Sequence, residues 1–542
     1  MFIHKRKKAV VLKLRHPSRV TSVIPTAKQV NAHVVALPHR PDETRVLRNL
    51  GFDVPDPMPL HYEYPLASGR HNPFEVQRST ATFLSMQRRA FCLNDMGTGK
   101  TNSALWAFDY LRSVKQAKRM VVVCPLSTME RTWADAVFMT FPHLDATVLY
   151  GTRDRRLKLL KQPADIYIIN IDGISIIAKE LAKRPDIDIV VIDELAMARN
   201  AQTDRWRTLN SVCNMQTPRR VWGMTGSPTP KSPTDAWAQC RLVTPDNTDV
   251  PKYFGRFKDS VMRQLTPFKW IARPTANGTV FKAMQPAIRY ALDDCVDLPE
   301  QIILTREVEL TKEQDAAYKA MMVTLSAQAS GGQILAVNEA VKANKLIQIA
   351  CGVAYGTNGE NIVIPSKPRI DAVKEIIKES EGKVIVFVPL TGALESVAKE
   401  ISAMFKDSGS DRVASILEGG LGLSDNVRVV HGGTSKSARD TIFSEFQNQK
   451  EPRVLVANAQ TMSHGLTLTA ATTIIWYAPV HSNEVYEQAC ARVRRPGQTK
   501  KTVIVHIAGT AIERTIYKRL AAKQSMQGVL LDMVQENNGV EA

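Results

Sequence analysis

Residues 91–101 read FCLNDMGTGKT, and residues 189–195 read IVVIDEL. In the first, a short apolar run meets a glycine turn, and Lys100 and Thr101 then open the helical pattern NSALWAFDYL. Glycines at 97 and 99 let backbone N–H groups approach phosphate oxygens, and the helix N-terminus adds a favourable dipole. Lys100 can then reach the outer phosphates of a nucleotide, and Thr101 can ligate magnesium. The general pattern GxxxxGK[ST] begins with glycine where this chain has Asn94, so Gly97, Thr98, Gly99, Lys100 and Thr101 carry the motif. Such a loop needs an acidic partner at the end of a neighbouring buried strand. IVVIDEL supplies it, with Asp193 to hold magnesium and Glu194 to position and polarise the attacking water.

Outward from these two stretches, short β-branched runs recur, each followed by a turn and a helical pattern, as in parallel strands buried on both faces. One cluster is VVVCP (121–125), IYIIN (166–170), IVVID (189–193) and VWGMTG (221–226). A second is KVIVFV (383–388), VRVVHG (427–432), RVLVANA (453–459), TTIIWY (472–477) and KTVIVHI (501–507). The pattern predicts an α/β protein with two parallel-sheet lobes, 66–235 and 366–530. Residues 236–365 alternate charged and apolar positions at helical spacing and read as a mostly helical insertion. Residues 1–65 form a basic N-terminal region, and 531–542 a tail. In open parallel sheets chemistry gathers beyond the carboxyl ends of the strands, which puts weight on MTGSPTP (224–230) and on ANAQTMSHGLTLTAA (457–471). Thr225 and Ser227 are candidates for linking the acidic pair to a nucleic-acid backbone. In EQACARVRRPGQ (487–498), Gln488, Arg492 and Arg495 stand at i, i+4 and i+7, one face of a helix, where two guanidinium groups can stabilise charge on a transferring phosphoryl group.

Composition sets the outer limits. The 542 residues hold 44% hydrophobic side chains, ample for several cores, so wholesale disorder is excluded. No run approaches the roughly 18 apolar residues of a membrane span, and no export signal is evident, so a soluble cytoplasmic protein is expected. Seven widely spaced cysteines without a CxxC pair fit neither a zinc site nor a disulfide framework and suit a reducing compartment. Lysine and arginine exceed aspartate and glutamate by 18, and residues 1–50 alone hold eleven basic against two acidic side chains. An excess so placed reads as a contact for a polyanion such as nucleic acid. Its rival is that KKAVVLKL forms an edge strand with its charges in water.

Taken in order, these motifs resemble the Swi/Snf family of superfamily-two, DNA-translocating ATPases, over roughly residues 70–525. NDMGTGKT, VVVCPLSTMERTW (121–133), DELA and MTGSPTPKSPTDAWAQCRLVTP (224–245) are similar to the family's motifs of the first lobe; DLPEQ (297–301) and KLIQIACG (345–352) look like landmarks inside the insertion; VVHGGTSKSARDTIFSEF (429–446) and QACARVRRPGQ (488–498) match the second. The resemblance implies two RecA-like lobes that clasp ATP with magnesium and move along double-stranded or branched DNA, with single-stranded DNA a further candidate. It implies that Gln77 reads the adenine edge, that Gly465 and Gln488 line the nucleotide, and that Ser127, Thr225, Gly226, Ser227, His431, Gly432 and Ser463 face DNA. Three positions depart from the pattern: Ala196 for a histidine, Ala491 for an aspartate and Arg494 for a histidine, which bears on coupling to DNA rather than on phosphate chemistry. The expectation is a compact bacterial or bacteriophage motor acting as a monomer. A strand-separating helicase and a non-hydrolysing DNA scaffold are the alternatives, and the intact Lys100, Asp193, Glu194, Arg492 and Arg495 argue against the scaffold.

Overall fold

The structure, a computed structural model, describes residues 1–522 apart from 67–71, 215–218, 268, 296–297, 325, 330–331, 336–338, 357–360, 407–422 and 463–466. By its contacts the chain divides at residues 295 and 296 into two compact units.

The first unit begins with a four-stranded antiparallel sheet of β1 (Phe2–His4), β2 (Ala9–Lys13), β3 (Lys28–Asn31) and β4 (Val34–Pro38), in the order β1-β2-β4-β3. Alternation in β2 and β4 sends Val10, Leu12, Val35 and Leu37 into a small core with Val20, Ile24, Leu47 and Val54. The segment KKAVVLKL therefore does form a strand, but an inner one, paired on both sides. Of its charges, Lys13 ends the strand exposed, while Lys7 lies in the 3₁₀ turn Lys5–Lys7, which Lys8 closes in the left-handed conformation (φ 48°). The N-terminal residues are thus a folded platform rather than a loose arm.

Polar bonds fix this platform to the rest of the first unit. Asp42 accepts from Arg220 at 3.3 Å, Gln116 donates to Glu43 at 3.2 Å, and Lys8 Nζ donates to the carbonyl of His61 at 3.0 Å. Arg220 is buried, and burial pulls its guanidinium down to about 10, with Asp42 opposing the fall.

Seven parallel strands come next: β5 (Arg89–Cys92), β6 (Arg119–Cys124), β7 (Ala146–Val148), β8 (Ile166–Asn170), β9 (Ile187–Asp193), β10 (Arg220–Met224) and, after the antiparallel hairpin of β11 (Met262–Thr266) and β12 (Lys269–Ala272), β13 (Ala287–Ile288). Their order is β13-β5-β10-β9-β6-β8-β7. Apart from the short β7 and a few half-buried positions (Arg89, Arg119, Asp188 and Asp193), the strands are buried, and helices cover both faces, which forms two cores, one on each side of the sheet. The strand interiors are mostly apolar because neither face of the sheet meets water, and polar residues come at strand ends such as Asn170 and Asp193.

The second unit carries a six-stranded parallel sheet. Its strands are β14 (Gln301–Glu307), β19 (Lys383–Phe387), β20 (Val427–Val430), β21 (Val454–Ala457), β22 (Ala471–Trp476) and β23 (Thr502–Ala508), after two hairpins, β15 (Ser326–Ala329) with β16 (Gly332–Leu335) and β17 (Val353–Tyr355) with β18 (Asn361–Val363). The order is β14-β23-β22-β19-β21-β20. A buried ion pair, Arg369 to Glu513 at 2.8 Å, anchors the helix Lys367–Glu379 to the segment after β23. Glu513 also accepts the N–H groups of Gly509 and Thr510, so its charge is fully hydrogen-bonded.

Every apolar run of the two clusters is a parallel strand, as the pattern predicts. Residues 236–365 hold helices Asp235–Val243, Phe254–Val261, Ala276–Ala283, Lys312–Thr324 and Glu339–Ala350 together with short strands, and two of those strands, β13 and β14, extend the two parallel sheets. The cysteines are all thiols, six of them buried. Among the described residues no helix is long and apolar enough to cross a membrane.

The joint of the N-terminal platform holds a testable titration. His39 Nε2–H donates to the carbonyl of Pro55 at 2.9 Å, which leaves His39 Nδ1 to accept from His61 Nε2–H, also at 2.9 Å. Burial lowers both imidazoles below the usual 6.5. The folded chain therefore binds fewer protons than the unfolded chain just below 6.5, so stability is present above that value and is lost as the pH falls. Thermal unfolding should show a melting temperature that drops between about pH 7.5 and 5.5, and H39Q/H61Q should flatten that dependence; an unchanged slope would mean the pair does not titrate on unfolding.

Candidate active site

Register across three neighbouring strands builds the site. Cys92 on β5, Met224 on β10 and Asp193 on β9 lie side by side, so the glycine loop, the MTGSPTP loop and the acidic pair all leave the sheet at one level. Two strand spacings, roughly 10 Å, separate the strand before the loop from the strand that ends in Asp193.

The loop after β5 is held open by its own backbone. Gly97 and Gly99 have φ of 88° and 83°, left-handed values that side chains rarely adopt, and the helix Lys100–Ser113 starts directly after them. A Cβ on Gly99 would come within 2.1 Å of the Gln77 amide nitrogen. That amide donates to the carbonyl of Thr98 at 3.1 Å, while its oxygen accepts from the N–H of Phe74. Thr98 Oγ1 donates to the Asp95 carbonyl at 2.9 Å. Lys100 turns its ammonium back onto the carbonyls of Asn94 (2.9 Å) and Asp95 (3.0 Å), inside the loop. Asn94, in place of the pattern's first glycine, has a role of its own. Its buried amide donates to Thr80 and its oxygen accepts from the Tyr290 N–H, which ties the loop to the segment after β13. Asp95 strengthens that tie through Arg289 at 2.7 Å.

Asp193 ends β9. Its Oδ2 accepts the indole N–H of Trp133 at 2.9 Å and its Oδ1 accepts the N–H of Glu194 at 3.1 Å. Burial raises the Asp193 carboxyl above the ordinary range, and the Trp133 donor, the Lys100 charge and the Glu194 N–H oppose that rise in decreasing order. A bound cation would do the same more strongly. Trp133 lies on a π-helical turn, Met129–Ala134, an irregularity that frequently marks functional sites and here carries a fully buried indole to the acid. Glu194 sits at φ 54° and ψ 53°, a left-handed conformation that costs an ordinary residue about 1–2 kcal/mol. The turn that begins there, with the Met197 N–H on the Glu194 carbonyl at 2.9 Å, holds it in place.

The MTGSPTP loop lies against the glycine loop. Thr225 donates its N–H to the Cys92 carbonyl at 3.0 Å, and its Oγ1 accepts from the Ser227 N–H at 3.1 Å. Both residues are buried, and Gly226 is half-buried with Asn94 and Met96 within 4 Å of where a Cβ would stand. The Thr225 hydroxyl therefore braces the loop from within. Ser127, in the turn Leu126–Thr128 after β6, is exposed.

In the second unit the expected single helical face does not form. The helix Asn483–Cys490 stops before Arg492, and the chain tightens into i→i−3 bonds, Arg492 N–H to Ala489 at 3.3 Å and Val493 N–H to Cys490 at 3.2 Å. Two constraints impose the stop: the Arg492 carbonyl accepts from Leu468, and Gln498 donates to the carbonyls of Thr469, Ala471 and Val493, past a Pro496-Gly497 turn with φ 99°. Gln488 and Arg492 are buried, whereas Arg495 is half-buried, with Nε on the Ala491 carbonyl at 2.9 Å and Nη1 on Thr467 at 3.3 Å. His431 follows β20 and accepts the N–H of Gly433 on Nδ1, and Gly432 is exposed. Ser463 and Gly465 lie outside the described residues.

With this geometry in place, the comparison with known families is decisive. The SNF2-related domain matches residues 79–351, and the helicase conserved C-terminal domain matches residues 368–497. The chain belongs to the SNF2 family of superfamily-two, DNA-translocating ATPases. It is an ATP-hydrolysing enzyme, and ATP with magnesium is the chemistry that this SNF2 membership implies. A putative protein p41 of Acyrthosiphon pisum secondary endosymbiont phage 1 is 24% identical over 81% of this chain and 94% of its own length. The SWI/SNF-related matrix-associated actin-dependent regulator of chromatin subfamily A-like protein 1 of Xenopus laevis is 24% identical over 86% of this chain, which spans only 43% of that longer protein. Among solved structures, the Sulfolobus solfataricus SWI2/SNF2 ATPase core in complex with dsDNA aligns over 88% of this chain and 95% of that one, at 21% identity and a TM-score of 0.39.

Two substitutions test the SNF2 site. Lys100→Ala should lower ATP turnover by about 10²-fold or more, since a charge aimed at developing phosphate charge is lost from a preorganised site. Near-normal turnover in a folded variant would remove the loop from catalysis. Trp133→Phe keeps the buried ring but deletes the donor to Asp193. It should cut turnover by about 5- to 10-fold, as expected for a hydrogen bond of about 1–1.5 kcal/mol, with little change in melting temperature; unchanged kinetics would mean that the indole only packs.

Proposed function

We propose that this chain is a compact motor that couples ATP hydrolysis to movement along double-stranded DNA, in replication, repair or the displacement of bound protein. The observation that carries this is the level alignment of the glycine loop, Asp193–Glu194 and the MTGSPTP loop on three adjacent strands. The residues suit a nucleotide: two left-handed glycines, a lysine folded into the hollow of the loop, and Gln77 bracing it. Thr101 and Asp193 would hold magnesium, which neutralises phosphate charge when bound. Glu194 would orient and polarise water, and Lys100 would swing from the loop carbonyls to the outer phosphates. Arg492 and Arg495 would supply positive charge to the transferring group, with Gln488 and Gly465 beside the nucleotide.

The exposed Ser127 and Gly432 would contact DNA directly in this reading, and His431 and Ser463 are further candidates for the same role. Thr225, Gly226 and Ser227 would act from inside, passing a change at the nucleotide to the surface through their loop. Residues 66–235 and 366–530 are the motor lobes. The exposed turn Lys5, Arg6 and Lys7 would add phosphate contacts from the N-terminal platform. Reduced thiols suit the cytoplasm, and the site needs no second copy, which fits a monomer.

The deciding experiment measures ATP turnover with no polymer, duplex DNA, single-stranded DNA, branched DNA and RNA. Duplex or branched DNA should stimulate turnover most, and Glu194→Gln should retain nucleotide while losing turnover. Equal stimulation by RNA, or none by DNA, would contradict the motor. Arg495→Ala should cut turnover about 10³-fold or more with little loss of nucleotide affinity; equal losses in both would mark a structural arginine. Because β1 and β2 are integral to the platform, its role is tested by K5Q/R6Q/K7Q rather than by deletion. The salt dependence of duplex affinity should flatten by about 0.9 log unit per log unit of salt for each phosphate that the variant no longer neutralises, and an unchanged slope would exclude the turn.

A further inference from the structure

The helix Asp235–Val243, which comes after the MTGSPTP loop, supports a knob of residues 252–273 made of the helix Phe254–Val261 and the hairpin β11–β12. Five successive residues of the knob, Lys252, Tyr253, Phe254, Gly255 and Arg256, are exposed. Tyr253 is 63% exposed, Phe254 44%, and Leu265 on the hairpin 57%. Two adjacent exposed aromatic rings, Tyr253 and Phe254, on one small element suggest an interaction surface. The surface is also strongly positive, since residues 252–273 contain six basic side chains and a single acidic one, Asp259.

The knob is built to hold its shape. Trp237 donates its indole N–H to the Pro251 carbonyl at 2.8 Å and meets the Phe254 ring edge-on at 5.5 Å. Phe257 is fully buried beneath the helix, and Lys258 Nζ stands 3.5 Å from the centre of the Trp270 ring. Arg273 Nε donates to the carbonyls of Asp259 (2.8 Å) and Met262 (3.0 Å), closing the base of the hairpin. Tyr253 therefore projects from a fixed frame with Lys252 Nζ 5.9 Å from its ring. The supporting helix also reaches the nucleotide side, because Gln239 Nε2 donates to the Pro228 carbonyl of the MTGSPTP loop at 2.6 Å.

An exposed aromatic ring among cations fits a polyanion that offers flat apolar faces. Paired DNA hides its base faces in the stack, so the cations alone would serve a duplex; unpaired DNA presents both phosphate and base face to the same surface. We propose that the knob binds an unpaired DNA strand, with Tyr253 stacking on a base and Lys252, Arg256, Arg263 and Lys269 holding its phosphates. This rests on the reading of the chain as a DNA motor and narrows its substrate to branched DNA, in which a duplex for the motor adjoins an unpaired strand for the knob.

The test measures, without nucleotide, the affinity of the full chain for a fully paired duplex and for a fork of the same paired length with two unpaired arms. The unsubstituted chain should bind the fork more tightly. Tyr253→Ala should weaken fork binding by about 5- to 150-fold, the effect of removing one base–aromatic stack, while duplex affinity, duplex-stimulated hydrolysis and melting temperature stay unchanged. K252Q/R256Q should flatten the salt dependence of fork binding by about 0.7 log unit per log unit of salt for each phosphate released. The inference is overturned if the unsubstituted chain does not prefer the fork, if Tyr253→Ala leaves the preference intact, or if it weakens duplex and fork equally. Absence of duplex-stimulated hydrolysis in the unsubstituted chain would instead overturn the motor reading, so the two failures are told apart.

Discussion

A parallel sheet covered on both faces leaves its polar chemistry one place to emerge, the carboxyl ends of the strands, and the first unit is organised by that constraint. The strands β5, β10 and β9 are apolar along almost their whole length because helices cover each side. Their ends are the first points at which a polar side chain can meet substrate without a desolvation cost. Because the strands are in register at Cys92, Met224 and Asp193, three loops with different tasks begin at one level. The MTGSPTP loop descends from the strand between the other two, which places it against the phosphate loop and makes it the natural element to register a change at the nucleotide.

Burial at this edge brings its own cost, and the surrounding residues offset it. Asp193 would rise toward neutrality if left alone, and the indole of Trp133 and the N–H of Glu194 oppose that shift from either side. Lys100 is satisfied by two carbonyls of the loop it serves. Both groups are thus held by the protein's own hydrogen bonds.

Much of this was legible in the sequence, because buried parallel strands write themselves as unbroken β-branched runs and the glycine loop as a strand, a turn and a helix. All nine runs of the two clusters are strands. What stayed hidden depends on distant partners. The strands β13 and β14 are short or exposed along much of their length, so no apolar run announces them. The i, i+4, i+7 spacing of Gln488, Arg492 and Arg495 suggested a helical face, but Leu468 and Gln498, each held by backbone bonds across the fold, end the helix at Cys490. Charge spacing alone could not show that the basic residues 5–8 cap a folded sheet, since that sheet owes its stability to a small core spread from Val10 to Val54. Trp133 is visible as part of a motif, while its bond to Asp193 depends on a π-turn that no periodicity encodes.

In the motor proposed for this chain, hydrolysis at this edge drives movement along intact duplex. A third strand bound in the major groove of a duplex reports such movement directly, because a passing motor strips it off without separating the two strands beneath. The full chain should displace the third strand only with hydrolysable ATP, Glu194→Gln should not displace it, and the underlying duplex should stay paired. Strong DNA-stimulated hydrolysis with the third strand left in place would contradict the claim.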